Sequence, residues 1–218
     1  MKRELFVTED GSNSIFVPEL NENYHSQFGA KQESQHIFID SALAQIDKED
    51  IRIMEFGFGT GLNALLTYEY AQKKNIRIRY STIEKYPLTE NEYNKLSYAK
   101  DSNYDFFLKL HQCSWGIQNE ITAKFDFYKE QIDIREFRNN EKQFDVVYFD
   151  AFAPDVQPHL WTKDIFEEIY KSISEGGILT TYTVKGSVRR ILKDIGFKVE
   201  KIPGPPGKRE ITRAWKMI

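Results

Sequence analysis

Three glycines stand within five positions, Gly57, Gly59 and Gly61, directly after an apolar run and directly before a helix-like one. Glycine loses more backbone freedom on folding than any other residue, so such a cluster needs a reason. A loop that must approach a ligand with no side chain in the way supplies one. Glu55 precedes the cluster, giving Glu55-x-Gly57-x-Gly59-x-Gly61. Dinucleotide-binding loops follow G-x-G-x-x-G, with the third glycine three residues after the second. Here it comes two after, which disfavours a nicotinamide dinucleotide. Three further acids close or follow apolar runs. Glu84 ends "IRIRYSTIE", Asp133 follows "ITAKFDFY" in "EQIDIREF", and Asp150 ends "FDVVYFD". An acid at a strand end can accept hydrogen bonds from a ribose diol, and Glu84 stands where that device is used; a solvated strand end is the alternative. Asp133 accepts a hydrogen bond from a ligand or caps the next short helix, and one residue can do both. Asp150 faces the reacting atoms or caps the turn "AFAP", which carries Phe152 and Pro154 and is closed by Trp161.

The elements that position these residues alternate. "IRIMEF" reads as a strand ending at the glycines, "LNALLTYEYAQKK" as a helix, and "IRIRYSTIE" as a strand. Residues 88–113 read as helical in pieces, "ITAKFDFY" as one alternating strand, and "FDVVYFD" as a buried strand. "KDIFEEIYKSI" is a helix ended by "EGG", "ILTTYT" a strand, and "GSVRRILKDIG" a helix closed by Gly196. "FKVEKI" and "EITRAWKMI" are strands with no helix between them, so they pair antiparallel at one edge. Alternating strands and helices imply parallel strands with crossover helices on both faces. In such a sheet, ligands bind outside the carboxyl ends of the strands, where all four acids fall. Before this region, "ELFVTED" and "SIFVPEL" flank the turn-rich "DGSN" and read as a hairpin. A helix begins at about Ser34, with Ile37, Ala42, Leu43 and Ile46 apolar. The expected division is a hairpin-and-helix extension over residues 1–48 and a ligand-binding domain over 49–218.

Composition narrows the classes. The chain has 218 residues, 40% hydrophobic and 29% charged, enough to bury a core in one domain with a small appendage. No apolar run reaches the length of a membrane span or a signal peptide. Cys113 is the only cysteine, which excludes an internal disulfide and suggests a reducing cytoplasm. His25, His36, His111 and His159 show no metal-ligand spacing, so no metal is expected. The net charge of -3 does not advertise a nucleic-acid binder, yet a local basic patch suffices to contact phosphates. Lys185, Arg189, Arg190, Lys193, Lys208, Arg209 and Arg213 cluster late in the chain. They form a phosphate-binding rim or a solvated basic face.

A mostly parallel sheet ending in a strand hairpin resembles the Rossmann-like fold of class I S-adenosylmethionine (SAM) methyltransferases. That implies an α/β architecture with a seven-stranded sheet and an antiparallel edge strand. The acid before the glycines also resembles their first motif, where it would suit a sulfonium ligand. More specifically, "EFGFGTGLN", "DAFAPDVQPHLWT", "TYTVKGSVRRILKDIGFKVEK", "PGKRE" and "YHSQFGAKQESQHIFI" together resemble the tRNA 5-methylaminomethyl-2-thiouridine methyltransferases, the methyltransferase half of MnmC-type enzymes. The resemblance covers nearly the whole chain. It implies SAM-dependent methylation of a 5-aminomethyl group on the wobble uridine of tRNA, in the anticodon region. Glu55, Gly57, Phe58, Gly59, Gly61, Asn63, Glu84, Asp133 and Asp150 would then hold SAM, with Asp150 also at the acceptor amine as orienter or base. Tyr24, His25, Ser26, Glu33 and Ser34 would enclose donor and base, with Phe152 and Pro154 beside them. Lys185, Arg189, Arg190, Lys208 and Arg209 would meet the RNA. Bifunctional members carry an FAD-dependent domain that makes the aminomethyl group; a separate enzyme would supply it here. The rival readings are a SAM methyltransferase acting on a small-molecule or protein amine, and a non-catalytic RNA-binding module of the same fold.

Overall fold

A computed structural model describes residues 2–99, 101–139 and 143–217. The chain opens with a small antiparallel sheet of β1 (Glu4–Val7), β2 (Asn13–Val17) and β3 (Glu22–Asn23). A short helix α1 (Ala30–Ser34) follows and continues into a π-helical turn, Gln35–Asp40. The helical stretch therefore begins four residues before Ser34, and π turns recur at functional sites. Ile37, Ala42 and Leu43 are fully buried and join the main core, so this segment is part of the body of the protein.

The large sheet is assembled from β4 (Asp50–Phe56), β5 (Arg77–Ile83), β6 (Gln118–Thr122), β7 (Phe125–Glu130), β8 (Phe144–Phe149), β9 (Ile173–Thr181), β10 (Phe197–Pro203) and β11 (Glu210–Lys216). Its order is β10-β11-β9-β8-β4-β5-β7-β6. The four pairs from β9 to β7 are parallel. β11 pairs antiparallel with both β9 and β10, so the last strand inserts beside the edge and β10 forms the edge itself. At the other edge, β6 pairs antiparallel with β7.

Two local readings change. "ITAKFDFY" is two strands, not one, because a two-residue turn at Ala123–Lys124 folds β6 onto β7. The alternation of apolar residues persists across that turn and hides it. This adds the eighth strand. "EGG" does not lie outside the sheet either: β9 starts at Ile173, and the register shift between Phe144 and Val146 absorbs the two glycines.

The helices are α2 (Leu62–Lys74), α3 (Glu90–Tyr93), α4 (Asp101–Gln112), α5 (Lys163–Ser172) and α6 (Gly186–Asp194). Successive strand residues face opposite sides of the sheet. Ile51, Ile53, Val146 and Tyr148 therefore pack with α2 and α4, while Met54, Phe56, Val147 and Phe149 pack with α5 and α6. β8 is buried at all six positions, as a central parallel strand covered on both faces must be. From β4 the chain builds outward to β5 and β7, then returns to the other side of β4 as β8. The crevice at that reversal, above the carboxyl ends of β4 and β8, is where a ligand site belongs.

Candidate active site

A cavity of about 450 Å³ occupies this crevice, roofed by residues of the N-terminal segment. The glycine loop forms its floor. Gly57, Gly59 and Gly61 all have positive φ (96°, 51° and 75°), a region that side-chain-bearing residues rarely adopt. What they approach differs at each position. A Cβ on Gly57 would stand 2.6 Å from the Asp150 carbonyl oxygen, so this glycine lets β4 and β8 close on each other. A Cβ on Gly59 would stand 3.2 Å from the Tyr24 ring. A Cβ on Gly61 would stand 3.0 Å from His111 Nε2 and from the Phe58 ring, so Gly61 serves packing beneath the loop and does not line the cavity. Phe58 does line it, and its ring rests on His111 and Phe127.

Glu84 anchors the loop. Its Oε2 accepts the Gly59 N–H at 2.9 Å, and its Oε1 accepts the Tyr86 N–H at 2.8 Å. Each oxygen keeps a lone pair for a further donor. Asp133 caps the short helical turn Ile134–Glu136 through Arg135 N, and it also lines the cavity; the Arg135 N–H, its guanidinium and the Lys85 ammonium already occupy the four acceptor positions of its carboxylate. The Arg135 guanidinium, and then Lys85, hold its carboxyl well below the usual carboxylate range.

Glu55 is fully buried under the floor and does not line the cavity, a correction to its expected ligand contact. Burial pushes its carboxyl up to about 8, so it is neutral at pH 7 and gives no charge to a cation. Its role runs through Asn63. The Asn63 amide nitrogen donates to Glu55 Oε1 and to Asp150 Oδ2, both at 3.0 Å, and Thr82 Oγ1 donates to Glu55 Oε2 at 2.9 Å. Asp150 forms the cavity wall. Burial raises its carboxyl to about 7, against the Asn63 hydrogen bond that lowers it. It thus changes charge near neutrality, where acid-base chemistry is effective.

The N-terminal residues converge on the same cavity: Tyr24, His25, Ser26, Glu33 and Ser34 all line it. Tyr24 packs edge-on to Phe152, with ring centroids 5.3 Å apart. His25 is buried and held to about 4 by that burial, so it is neutral. Glu33 accepts the Ser26 N–H at 2.7 Å and pairs with Lys208 at 2.7 Å, tying the roof to the C-terminal loop. Among the described residues, three buried polar atoms of the cavity have no partner: His25 Nδ1, Ser34 Oγ and Asn63 Oδ1. Buried polar atoms are almost always hydrogen-bonded, so three around one cavity point to a polar ligand.

Tyr182 is a cavity residue that the sequence reading missed. Its hydroxyl donates to Ala151 O at 2.8 Å, and its ring carries the Lys208 ammonium at 4.3 Å. It follows the carboxyl end of β9, beside Asp150, so the strand-end rule could have found it. Lys85 and Tyr86, directly after Glu84, are missed in the same way.

The basic cluster divides. Arg189 is buried, donates from Nε to Thr212 at 2.9 Å and reaches Glu210 at 3.4 Å; it belongs to the α6–β11 packing and not to a rim. Arg190 and Arg209 are exposed. Pro154, Lys185, Lys208 and Arg209 line a second, shallower groove next to the cavity, with Lys201, and Lys185 there pairs with Asp155. Pro154 is buried and outside the main cavity, which Phe152 does line. Among the described residues, no group of three or more His, Cys, Asp or Glu could hold a metal ion, and no helix is long and apolar enough to cross a membrane.

The family described as S-adenosyl-L-methionine-dependent methyltransferase matches residues 86–217. The tRNA 5-methylaminomethyl-2-thiouridine biosynthesis bifunctional protein MnmC of Leptospira interrogans is 30% identical over 213 residues, covering 88% of this chain and 32% of that protein. The protein of the same name from Pseudomonas fluorescens is 27% identical over 214 residues, covering 87% of this chain and 31% of that one. The chain thus spans about a third of the length of these relatives. The crystal structure of MNMC2 from Aquifex aeolicus superimposes with a TM-score of 0.85 at 28% identity, covering 98% of this chain and 70% of that one.

Proposed function

This chain belongs to the S-adenosyl-L-methionine-dependent methyltransferases, and on that footing we propose that it methylates the amine of a 5-aminomethyl(-2-thio)uridine at the wobble position of tRNA. The names of the relatives support this substrate, and the likeness to them runs along nearly the whole chain. The observation that carries the reading is the Asp150 carboxyl in the cavity wall at the end of β8, held by Asn63 and beside the glycine loop.

The cavity fits SAM. Its volume falls in the range of cofactor sites. The loop at Gly57–Gly59 bears no side chains at its glycines, and Glu84 has lone pairs free for a ribose diol. An adenine amino group would take the place of Lys85 or Arg135 on Asp133, and Asn63 Oδ1 would accept from an ammonium. SAM, when bound, supplies the methyl group. The chain's own residues orient the amine. Asp150 accepts a hydrogen bond from it, and Asn63 fixes Asp150 in turn. Such positioning supplies much of the rate of an in-line displacement. Tyr24, Phe152 and Tyr182 wall off the base, while His25 and Ser34 offer it polar partners. Neutral His25 can donate or accept without adding charge. On this reading residues 1–48 are an extension that completes the pocket, and residues 49–218 are the methyltransferase domain. Methyl transfer does not create the aminomethyl group, so a separate activity supplies it.

The test is mass spectrometry of nucleosides from tRNA of cells lacking the activity, after incubation with the protein and SAM. The expected product is the 5-methylaminomethyl nucleoside. Methylation of small amines or proteins with none on tRNA would refute the substrate, and SAM binding without any methyl transfer would refute catalysis.

A further inference from the structure

The groove beside the cavity mouth and an aromatic ring next to its C-terminal loop are features that the methyl-transfer chemistry does not use. Phe28 is 49% exposed although it is large and aromatic. It lies between two elements of the mouth: its N–H donates to Ser26 Oγ at 3.2 Å, and its ring lies against Gly207, next to Lys208. Gly207 has φ +84°, and a Cβ there would overlap the Phe28 ring. The absence of a side chain thus lets the ring lie against the backbone. One side of the ring is held and about half of the residue stays open to solvent, an arrangement suited to stacking.

The charges nearby are not all consumed. Lys185 pairs with Asp155, Arg189 with Glu210 and Lys208 with Glu33. Lys201 and Arg209 also line the groove, both are exposed, and among the described residues neither has an acidic partner. Val184, 44% exposed, adds apolar surface to the same groove. Phe28 lies against Gly207, two residues before Arg209, so the ring adjoins the loop that brings Arg209 to the groove. Free cations and an exposed aromatic ring are what a single-stranded nucleic acid recognises: the cations track its phosphates and the ring stacks a base whatever its identity.

We propose that this groove docks the single-stranded RNA loop that carries the acceptor nucleotide, with Phe28 stacking the base next to that nucleotide and Lys201 and Arg209 holding the adjoining phosphates. This rests on the tRNA reading above. The acceptor nucleotide enters the cavity, so its neighbour loses one stacking partner at the mouth, where Phe28 takes the place of the missing base. Ordinary stacking continues beyond it along the groove.

The experiment uses the full chain and RNA hairpins with the acceptor uridine in the loop and 2-aminopurine on its 5′ or its 3′ side. The wild type should quench one of the two probes, and Phe28→Trp should do the same. Phe28→Leu, still apolar, should abolish the quenching and weaken RNA binding by roughly tenfold, within the range of one base–aromatic stack. Lys201→Glu with Arg209→Glu should lower the salt dependence of RNA binding by about 0.7 in log–log slope for each phosphate no longer neutralised, with SAM affinity and melting temperature retained. Quenching and affinity unchanged in Phe28→Leu, or an unchanged salt slope after charge reversal, would overturn the docking site while tRNA methylation by the wild type stood. If the wild type binds no hairpin and methylates only small amines, the tRNA reading fails and this site falls with it.

Discussion

Replacing Glu55 by Gln should remove a pH dependence from folding without disturbing the cofactor site. The buried carboxyl has been pushed from 4.5 to about 8 by loss of water, so the folded chain keeps a proton that the unfolded chain gives up. Between those two pH values the folded state binds more protons. Stability therefore falls as pH rises, by about 1.4 kcal/mol per pH unit where the difference is one full proton. From pH 5 to pH 8 the loss amounts to about 3–4 kcal/mol. Gln reproduces the protonated acid, with an oxygen for the Asn63 amide and an N–H that donates to Thr82 Oγ1, whose own hydrogen rotates away as it does for a protonated Glu55. Asp150 titrates in both proteins, so its contribution largely cancels in the comparison. Urea unfolding at pH 5, 6, 7 and 8 should give Glu55→Gln a growing advantage over the wild type as pH rises, with equal denaturant slopes. SAM affinity should stay within a few-fold, because Glu55 does not reach the cavity. A stability difference that is flat across this range would mean that Glu55 is ionised in the fold. A large loss of SAM affinity would mean that it touches the ligand. Either result would refute the reasoning.

Gly59→Val should abolish measurable SAM binding by calorimetry, because a β-branched residue resists φ 51° and its side chain meets the Tyr24 ring; unchanged affinity would remove the loop from the site. Glu84→Ala should weaken SAM by about tenfold or more, since it loses a charged acceptor and frees the Gly59 and Tyr86 amides. Asp150→Asn should keep SAM affinity within a few-fold and slow single-turnover methyl transfer about a hundredfold, and Asp150→Ala should slow it more. In the wild type the rate should rise with pH and level off above about 7, as the Asp150 carboxyl ionises. Rescue of Asp150→Asn at high pH would make deprotonation, not orientation, its main task.

Much of this protein was legible because its signals are local. A glycine that must take positive φ and an acid that closes an apolar run each declare themselves within a few residues. So β4, α2, β8 and the placing of Glu84 and Asp150 at strand ends could be read directly. The resemblance carried the reading further, to Tyr24, His25 and Glu33, which composition and periodicity do not single out. Other features were out of reach. "ITAKFDFY" keeps its alternation through the turn at Ala123–Lys124, and only pairing of Gln118–Thr122 with Phe125–Glu130 reveals two strands. Arg189 and Lys193 have the spacing of a shared helix face, yet Thr212 and Glu210 draw Arg189 inward. Glu55 is an acid before a glycine loop in sequence, while in the fold it is a neutral group that holds Asn63. Chain order fixes which residues stand at strand ends, since that depends on neighbours along the backbone. Whether a carboxyl is charged, or a guanidinium free, depends on the water and partners that distant segments take away or bring, and only the tertiary structure decides that.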